Sequence, residues 1–142
     1  MIPHSVALEA YVKAFQYKIL NSILYTNAKL YKIGFKFNDS CSFCSSEPET
    51  LYHFLYLCPF SVDFWRDFEV FWHQILKENI RLSLQDVLSN FIYLIMIGKL
   101  YLWDSRRSQI LPNIYGFKKK IAVKYEAEKY ISLHSKKNKG FL

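Results

Sequence analysis

The chain is poor in the residues that loosen a polypeptide, with 4 Gly and 4 Pro among 142 residues. That scarcity argues against a disordered, collagen-like or linker-like chain. Cysteine is scarce too, and an odd total of 3 does not suit a disulfide framework. The start, Met1-Ile2-Pro3-His4, lacks a basic segment followed by an apolar one, so no secretory leader is read there. A reducing intracellular setting, nuclear or cytoplasmic, is expected. Long hydrophobic runs are missing as well. The most apolar stretch, Phe91 to Trp103, is interrupted by Gly98 and Lys99 and is too short for a bilayer span. It reads as a buried helix, and no membrane partner is expected.

Several kinds of chemistry lack their signatures. There is no nucleophile elbow, and four glycines are too few for a phosphate-cradling loop. No paired-aspartate motif holds two catalytic metals, and no spaced carboxylates with a lysine suggest an endonuclease. Asp63 and Asp67 sit four apart on a predicted helix and read as a solvated face. His4, His73 and His134 are scattered without partners nearby in sequence.

What the chain does have is aromatics, with 12 Phe, 11 Tyr and 3 Trp, so its core should be built from large rings. Net charge is +7 and uneven: residues 1–60 carry +1, residues 61–98 carry −2, and residues 99–142 carry +8. A localised basic excess attracts polyanions, an anionic membrane surface or an acidic partner.

Periodicity predicts a mainly α, small helical domain. Leu8, Tyr11, Val12, Phe15, Ile19 and Ile23 form a stripe over Val6–Leu24. A short helix follows from Thr26-Asn27, with Leu30 and Ile33 inward and Gly34 near its end. Ser46-Glu47-Pro48-Glu49 resembles a capping box opening a helix to about Leu57. From Pro59 to about Glu78, residues Phe64, Phe68, Phe71 and Ile75 share a face, with Trp65, Trp72 and Leu76 beside them. Ser83 with Asp86 signals another start, and a central helix is predicted over Asn90–Ile110. Pro112-Asn113 breaks the chain before a last amphipathic helix carrying Ile114, Phe117, Ile121 and Tyr125. The organisation expected is N-terminal helices at 1–37, a knuckle at 38–60, a helical region at 61–133 and a flexible basic tail at 134–142.

The strongest local signal is Cys41-Ser42-Phe43-Cys44 followed by His53 and Cys58, a C-x2-C-x8-H-x4-C pattern. Two thiolates three positions apart reach one ion from a tight turn. A His and a Cys on a short helix and its end close the tetrahedron from the other side. Zinc accepts sulfur and nitrogen in a four-coordinate shell. Buried cysteines beside an unrelated histidine would have to fall together by chance. A redox Cys-x2-Cys pair expects a strand before it and a helix starting at it, whereas Asn38-Asp39-Ser40 is a polar turn. One zinc ion is therefore expected on Cys41, Cys44, His53 and Cys58. With every position filled by protein the ion is structural, and the site carries net charge −1. A short hairpin carrying the first two ligands is compatible with this reading.

With these residues in view, the chain resembles the carboxy-terminal zinc-binding region of reverse transcriptases from LINE-type (non-LTR) retrotransposons. The likeness is carried by Phe15 to Asn21 with Leu24-Tyr25-Thr26-Asn27, then Cys41-Ser42-Phe43-Cys44, Glu49-Thr50, His53, Cys58-Pro59 and Phe64-Trp65. Lys99 to Trp103, Pro112-Asn113 and Lys124 to Glu126 echo it more weakly. The histidine gap is longer than in retroviral knuckles, so their base-reading mode does not carry over. The resemblance implies a non-catalytic tail of a larger polymerase, partnered by RNA or DNA without sequence preference and by the remainder of the reverse transcriptase. The cations that would then contact phosphates are Arg106, Arg107, Lys118, Lys119, Lys120 and Lys124, with Tyr115, Phe117 and Tyr125 among them. Without the resemblance, a basic solvated face over an aromatic stripe explains them as well. A zinc-stapled structural or protein-interaction module is the other function class.

Overall fold

The computed structural model describes residues 4–89 and 92–122. Helix α1 (His4–Leu20) leads to a short α2 (Asn27–Lys32), and a π-helical turn (His53–Leu57) leads into α3 (Pro59–Leu76). Helices α4 (Leu84–Ser89) and α5 (Tyr93–Arg107) follow, and the chain is helical again over residues 114–122. The described residues contain no strand. The expected hairpin is a single antiparallel bridge between Ser40 and Pro48. The architecture is mainly α with the metal loop between helices, as the periodicity implied. No described helix is long and apolar enough to cross a membrane.

Helix α1 buries Val12, Phe15 and Ile19 but stops at Leu20, earlier than the stripe suggested. Ser22 takes a left-handed φ of 52° and turns the chain, so Ile23 falls outside the helix and is exposed. In α2 the expected inward face is only partly realised, with Leu30 half-buried and Ile33 exposed. Gly34 closes α2 at φ 81°, and Phe35 N–H returns to the Leu30 carbonyl at 2.9 Å, a C-terminal motif that favours glycine.

Helix α3 buries Ser61, Phe64, Trp65, Phe68 and Trp72, a stripe of i, i+3, i+4, i+7 and i+11 spacing. Phe71 lies at its margin, while Ile75 and Leu76 are exposed past the edge of the core. Ser83 and Asp86 form the capping pair expected before α4, with Ser83 N–H donating to the Asp86 carboxylate and Asp86 N–H to Ser83 Oγ. Asn113 Oδ1 accepts from Gly116 N–H at 2.8 Å and opens the last described helical segment.

Helix α5 is the central element, buried continuously from Ile95 to Leu102. The rings of Phe64, Phe68, Tyr101 and Phe117 meet there with centroids 5.4–6.2 Å apart, tilted or edge-on as their quadrupoles prefer. Gly98 lets α5 approach α3, because a Cβ at that position would lie 2.9 Å from the Trp65 ring. The indole cannot easily retreat, since its N–H is held by the Leu55 carbonyl at 2.7 Å. Gly98→Ala should therefore destabilise the fold by about 1–3 kcal/mol, the usual cost of overpacking. A chemical-denaturation midpoint unchanged from wild type would refute this.

Lys99 was not singled out by sequence for a buried role, yet its side chain is fully buried and donates to Gln16 Oε1. The Gln16 amide in turn donates to the Leu88 carbonyl at 2.8 Å, so α1, α4 and α5 share one polar network. Burial pulls the Lys99 ammonium down from 10.5 to about 8. A lysine with a lowered native pKa binds fewer protons folded than unfolded in that interval. Stability should thus rise, by on the order of 1–3 kcal/mol, as pH increases from about 8 to about 10.5. Lys99→Met should lose this slope relative to wild type; parallel pH profiles for the two proteins would contradict it.

Candidate metal centre

The metal loop is closed by the Ser40–Pro48 bridge, where Cys41 N–H donates to the Glu47 carbonyl and Glu49 N–H to the Asp39 carbonyl, each at 2.8 Å. Within it, Ser45 N–H returns to the Cys41 carbonyl at 2.9 Å, and Ser45 takes φ 57°. This tight turn presents Cys41 and Cys44 side by side. Phe43 N–H points at Cys41 Sγ at 3.4 Å, the kind of amide contact that supports a thiolate.

The second ligand pair depends on a widened turn. The capping box expected at Ser46–Glu49 does not form. Pro48 sits in the bridge, and helical structure starts at Leu51, with Thr50 Oγ1 accepting from His53 N–H at 3.1 Å. Thr50 is the cap, and the start moves a few residues along the chain. In an α-helix, residues five apart lie about 140° around the axis from each other, too far for two ligands of one ion. Here Cys58 N–H bonds the His53 carbonyl at 2.7 Å, five residues back, and the π-turn narrows that angle.

The widened turn strands two carbonyls, and α3 rescues both. Phe54 O loses Cys58 N–H to His53, and Leu55 O faces Pro59, which has no N–H. Ser61 Oγ donates to Phe54 O at 2.6 Å, and Trp65 Nε1 donates to Leu55 O at 2.7 Å. The start of α3 is thus tied by hydrogen bonding to the π-turn that carries His53.

The ligand atoms of Cys41, Cys44, His53 and Cys58 all lie within 4.8 Å of one another. Cys41 Sγ and Cys58 Sγ are 3.8 Å apart, and Cys44 Sγ is 3.3 Å from His53 Nε2. A tetrahedral zinc with Zn–S near 2.3 Å and Zn–N near 2.0 Å requires sulfur–sulfur edges of about 3.8 Å and sulfur–nitrogen edges of about 3.5 Å. The donor set fits one zinc ion. Cys41, His53 and Cys58 are buried and Cys44 is half-buried, so water has little access.

Electrostatics distinguish the thiols. Without metal, the Cys41 thiol donates to Cys58 and is pushed well above the usual thiol range, reinforced by its burial. The same hydrogen bond lowers Cys58, aided by the Phe60 and Ser61 amides at the start of α3. Cys41, Cys44 and Cys58 would hold a zinc ion as thiolates with His53 as the fourth ligand, and the ion would cross-link the loop.

Around the loop lies a polar hub. Glu49 is fully buried, and Arg106 Nε donates to its Oε1 at 2.7 Å. Oε1 also accepts from Asn27 N–H at 2.9 Å, and Oε2 accepts from Ser42 N–H at 2.7 Å. Asn27 Nδ2 donates to Ser40 O at 2.8 Å, while Arg106 Nη2 donates to Asn27 Oδ1 at 3.0 Å. The start of α2, the metal loop and the end of α5 therefore meet at one carboxylate. Phe54 continues the linkage through rings, 5.3 Å from Phe43 and 5.7 Å from Trp103.

Five of the six cations expected at phosphates fall among the described residues. Arg106 is bound to Glu49, lies 4.6 Å over the Trp103 ring and has a side chain only 11% exposed. Arg107 and Lys119 are exposed. Lys120 pairs with Asp104, and Lys118 lies 5.3 Å from the Phe71 ring. Lys124 lies outside the described residues, as do Tyr125 and the tail expected at 134–142. Asp63 and Asp67 are exposed on α3, with Asp63 3.9 Å from Arg66.

Residues 5–65 match the family model described as zinc-binding in reverse transcriptase. No curated protein and no solved structure matches the chain.

Proposed function

Since residues 5–65 match the family model for zinc-binding in reverse transcriptase, we propose that this protein is a non-catalytic, nucleic-acid-binding segment of a LINE-type retrotransposon reverse transcriptase. Zinc pins the metal loop against the helices, and the pinned domain holds RNA or DNA beside a polymerase supplied by the remainder of that enzyme. The observation that carries this reading is the four-ligand knuckle inside the matched family region, next to a chain half whose last 44 residues hold a net +8. Attraction of this kind is governed by phosphate charge, so it is salt-sensitive and weakly selective for sequence.

A salt titration against a short fluorescent single strand tests it. A micromolar complex that weakens steeply as salt rises is expected. Absence of binding at low salt would refute the reading. If the protein then self-associates, the alternative stands, a zinc-stapled interaction module. The exposed Tyr31 and Tyr52, which line a cavity of about 740 Å³, would suit that role.

Replacing Lys118, Lys119 and Lys120 together with Gln should weaken binding roughly equally across sequences and reduce the salt slope. Because Lys120 is paired and Lys118 leans on a ring, most of the change in slope should come from Lys119. Loss of affinity for one sequence alone would contradict phosphate-directed binding.

A further inference from the structure

We propose that Phe35-Lys36-Phe37, together with the cleft behind it, forms a platform for single-stranded nucleic acid. The two rings take bases and the cleft takes the phosphate backbone. This deepens the nucleic-acid reading and rests on it, but it locates the contact beside the metal loop rather than on the lysine-bearing helix.

The segment leaves α2 after Gly34 as non-helical chain. Phe35 is 78% exposed and Phe37 fully exposed, although covering either ring would be worth about 1.5–3 kcal/mol. A single exposed ring is ordinary; two that flank a lysine make a local patch of the kind that suits a binding surface. Lys36 is directed toward the domain, where its Nζ donates to Asn27 Oδ1 at 2.8 Å.

Lys36 lines a cleft of about 520 Å³ whose other wall is the end of α5 with Arg107 and Gln109. Arg106 and Ser42 also line it, and among the described residues no carboxylate does. Lys36 and Arg106 donate to the same Asn27 oxygen, so two cations are held close together. Glu49 neutralises one of the three cleft cations, and the zinc site with its three thiolates takes up the charge of another. A surplus of one positive charge remains at the cleft, with amide and hydroxyl groups placed to accept or donate beside it. Protruding rings next to such a cleft suit unpaired bases, whose faces are free for stacking, whereas duplex bases offer none.

The test uses fluorescein-labelled 15-nucleotide oligo(dT) and the full zinc-loaded chain. Phe35→Ser with Phe37→Ser should weaken binding about tenfold or more and leave the salt slope unchanged. Lys36→Gln with Arg107→Gln should instead flatten the slope by roughly 1.4, about 0.7 per phosphate contact on a single strand. Phe37→Trp should show emission quenched by saturating oligo(dT). These side chains are exposed, and unchanged zinc content and melting would establish that each variant folds. If wild type binds while the ring pair is dispensable and Phe37→Trp stays unquenched, the inference fails and the nucleic-acid reading survives. If wild type does not bind at low salt, both fall. If the ring variant loses self-association but keeps oligo(dT), the rings serve a protein contact and the proposal is overturned.

Discussion

Cys44→Ser, or His53→Ala, should lower the stability of the domain by several kcal/mol and abolish stoichiometric zinc binding. The size follows from how the loop is held. Between Ser40 and Pro48 a single bridge closes it, and no described strand extends that pairing. One bridge cannot offset the backbone entropy of ordering such a segment, at roughly 1–2 kcal/mol per residue. The Phe43 and Phe54 rings and the Glu49 hub supply part of the difference, and metal coordination supplies the rest, because binding energy at such a site is folding energy. Losing one of four ligands also leaves the remaining thiols buried around an unfilled shell. Thermal melting with and without chelator reads the effect directly, alongside metal analysis of the purified protein. Chelator should lower the wild-type midpoint to near that of Cys44→Ser and leave the variant almost unmoved. Superimposable wild-type melts in zinc and in chelator would show that the ion does not hold the loop.

The metal site was legible in the sequence because its ligand spacing is short-range chemistry. Cys41, Cys44, His53 and Cys58 need little beyond one turn and one helix end to meet. Start signals confined to three or four residues were legible too, as at Ser83 and Asn113. What failed did so where tertiary partners compete with local ones. Glu49 has the position of a capping-box acid, yet Arg106, 57 residues away, and the amides of Asn27 and Ser42 claim its oxygens, so Thr50 caps instead. Ile75 continues the α3 periodicity, but among the described residues no element covers that end of the helix, and Ile75 is exposed. Arg106 reads as one basic residue among many, since nothing near it in sequence reveals a buried carboxylate. The π-turn was equally invisible: it follows from a proline without an N–H and from acceptors that only a folded α3 can satisfy.

Arg106→Met should destabilise the protein by about 3–5 kcal/mol. The long apolar side chain keeps much of the contact with Trp103, so packing is not the main loss. The loss is electrostatic. Glu49 has no exposed surface, and the guanidinium lies 2.7 Å from its Oε1. Removing one member of a buried pair leaves the other as a desolvated charge, which is far costlier than the net worth of the intact pair. The amides of Asn27 and Ser42 still face the carboxylate, but they carry no compensating charge. Two further bonds go with the guanidinium, to the Tyr25 carbonyl and to Asn27 Oδ1, so the start of α2 loosens as well. If stranded charge is the cause, removing that charge must help. Glu49→Gln added to Arg106→Met should recover a substantial part of the loss, although Glu49→Gln alone destabilises wild type. That sign reversal is the signature of coupling within one contact, and a double-mutant cycle of denaturation midpoints measures it. Because Ser42 lies between two zinc ligands, the single variant should also hold zinc less tightly in a chelator competition. Additive effects of the two substitutions, or a cost below 1 kcal/mol for Arg106→Met, would mean that the carboxylate finds solvent and that the hub does not organise the metal loop.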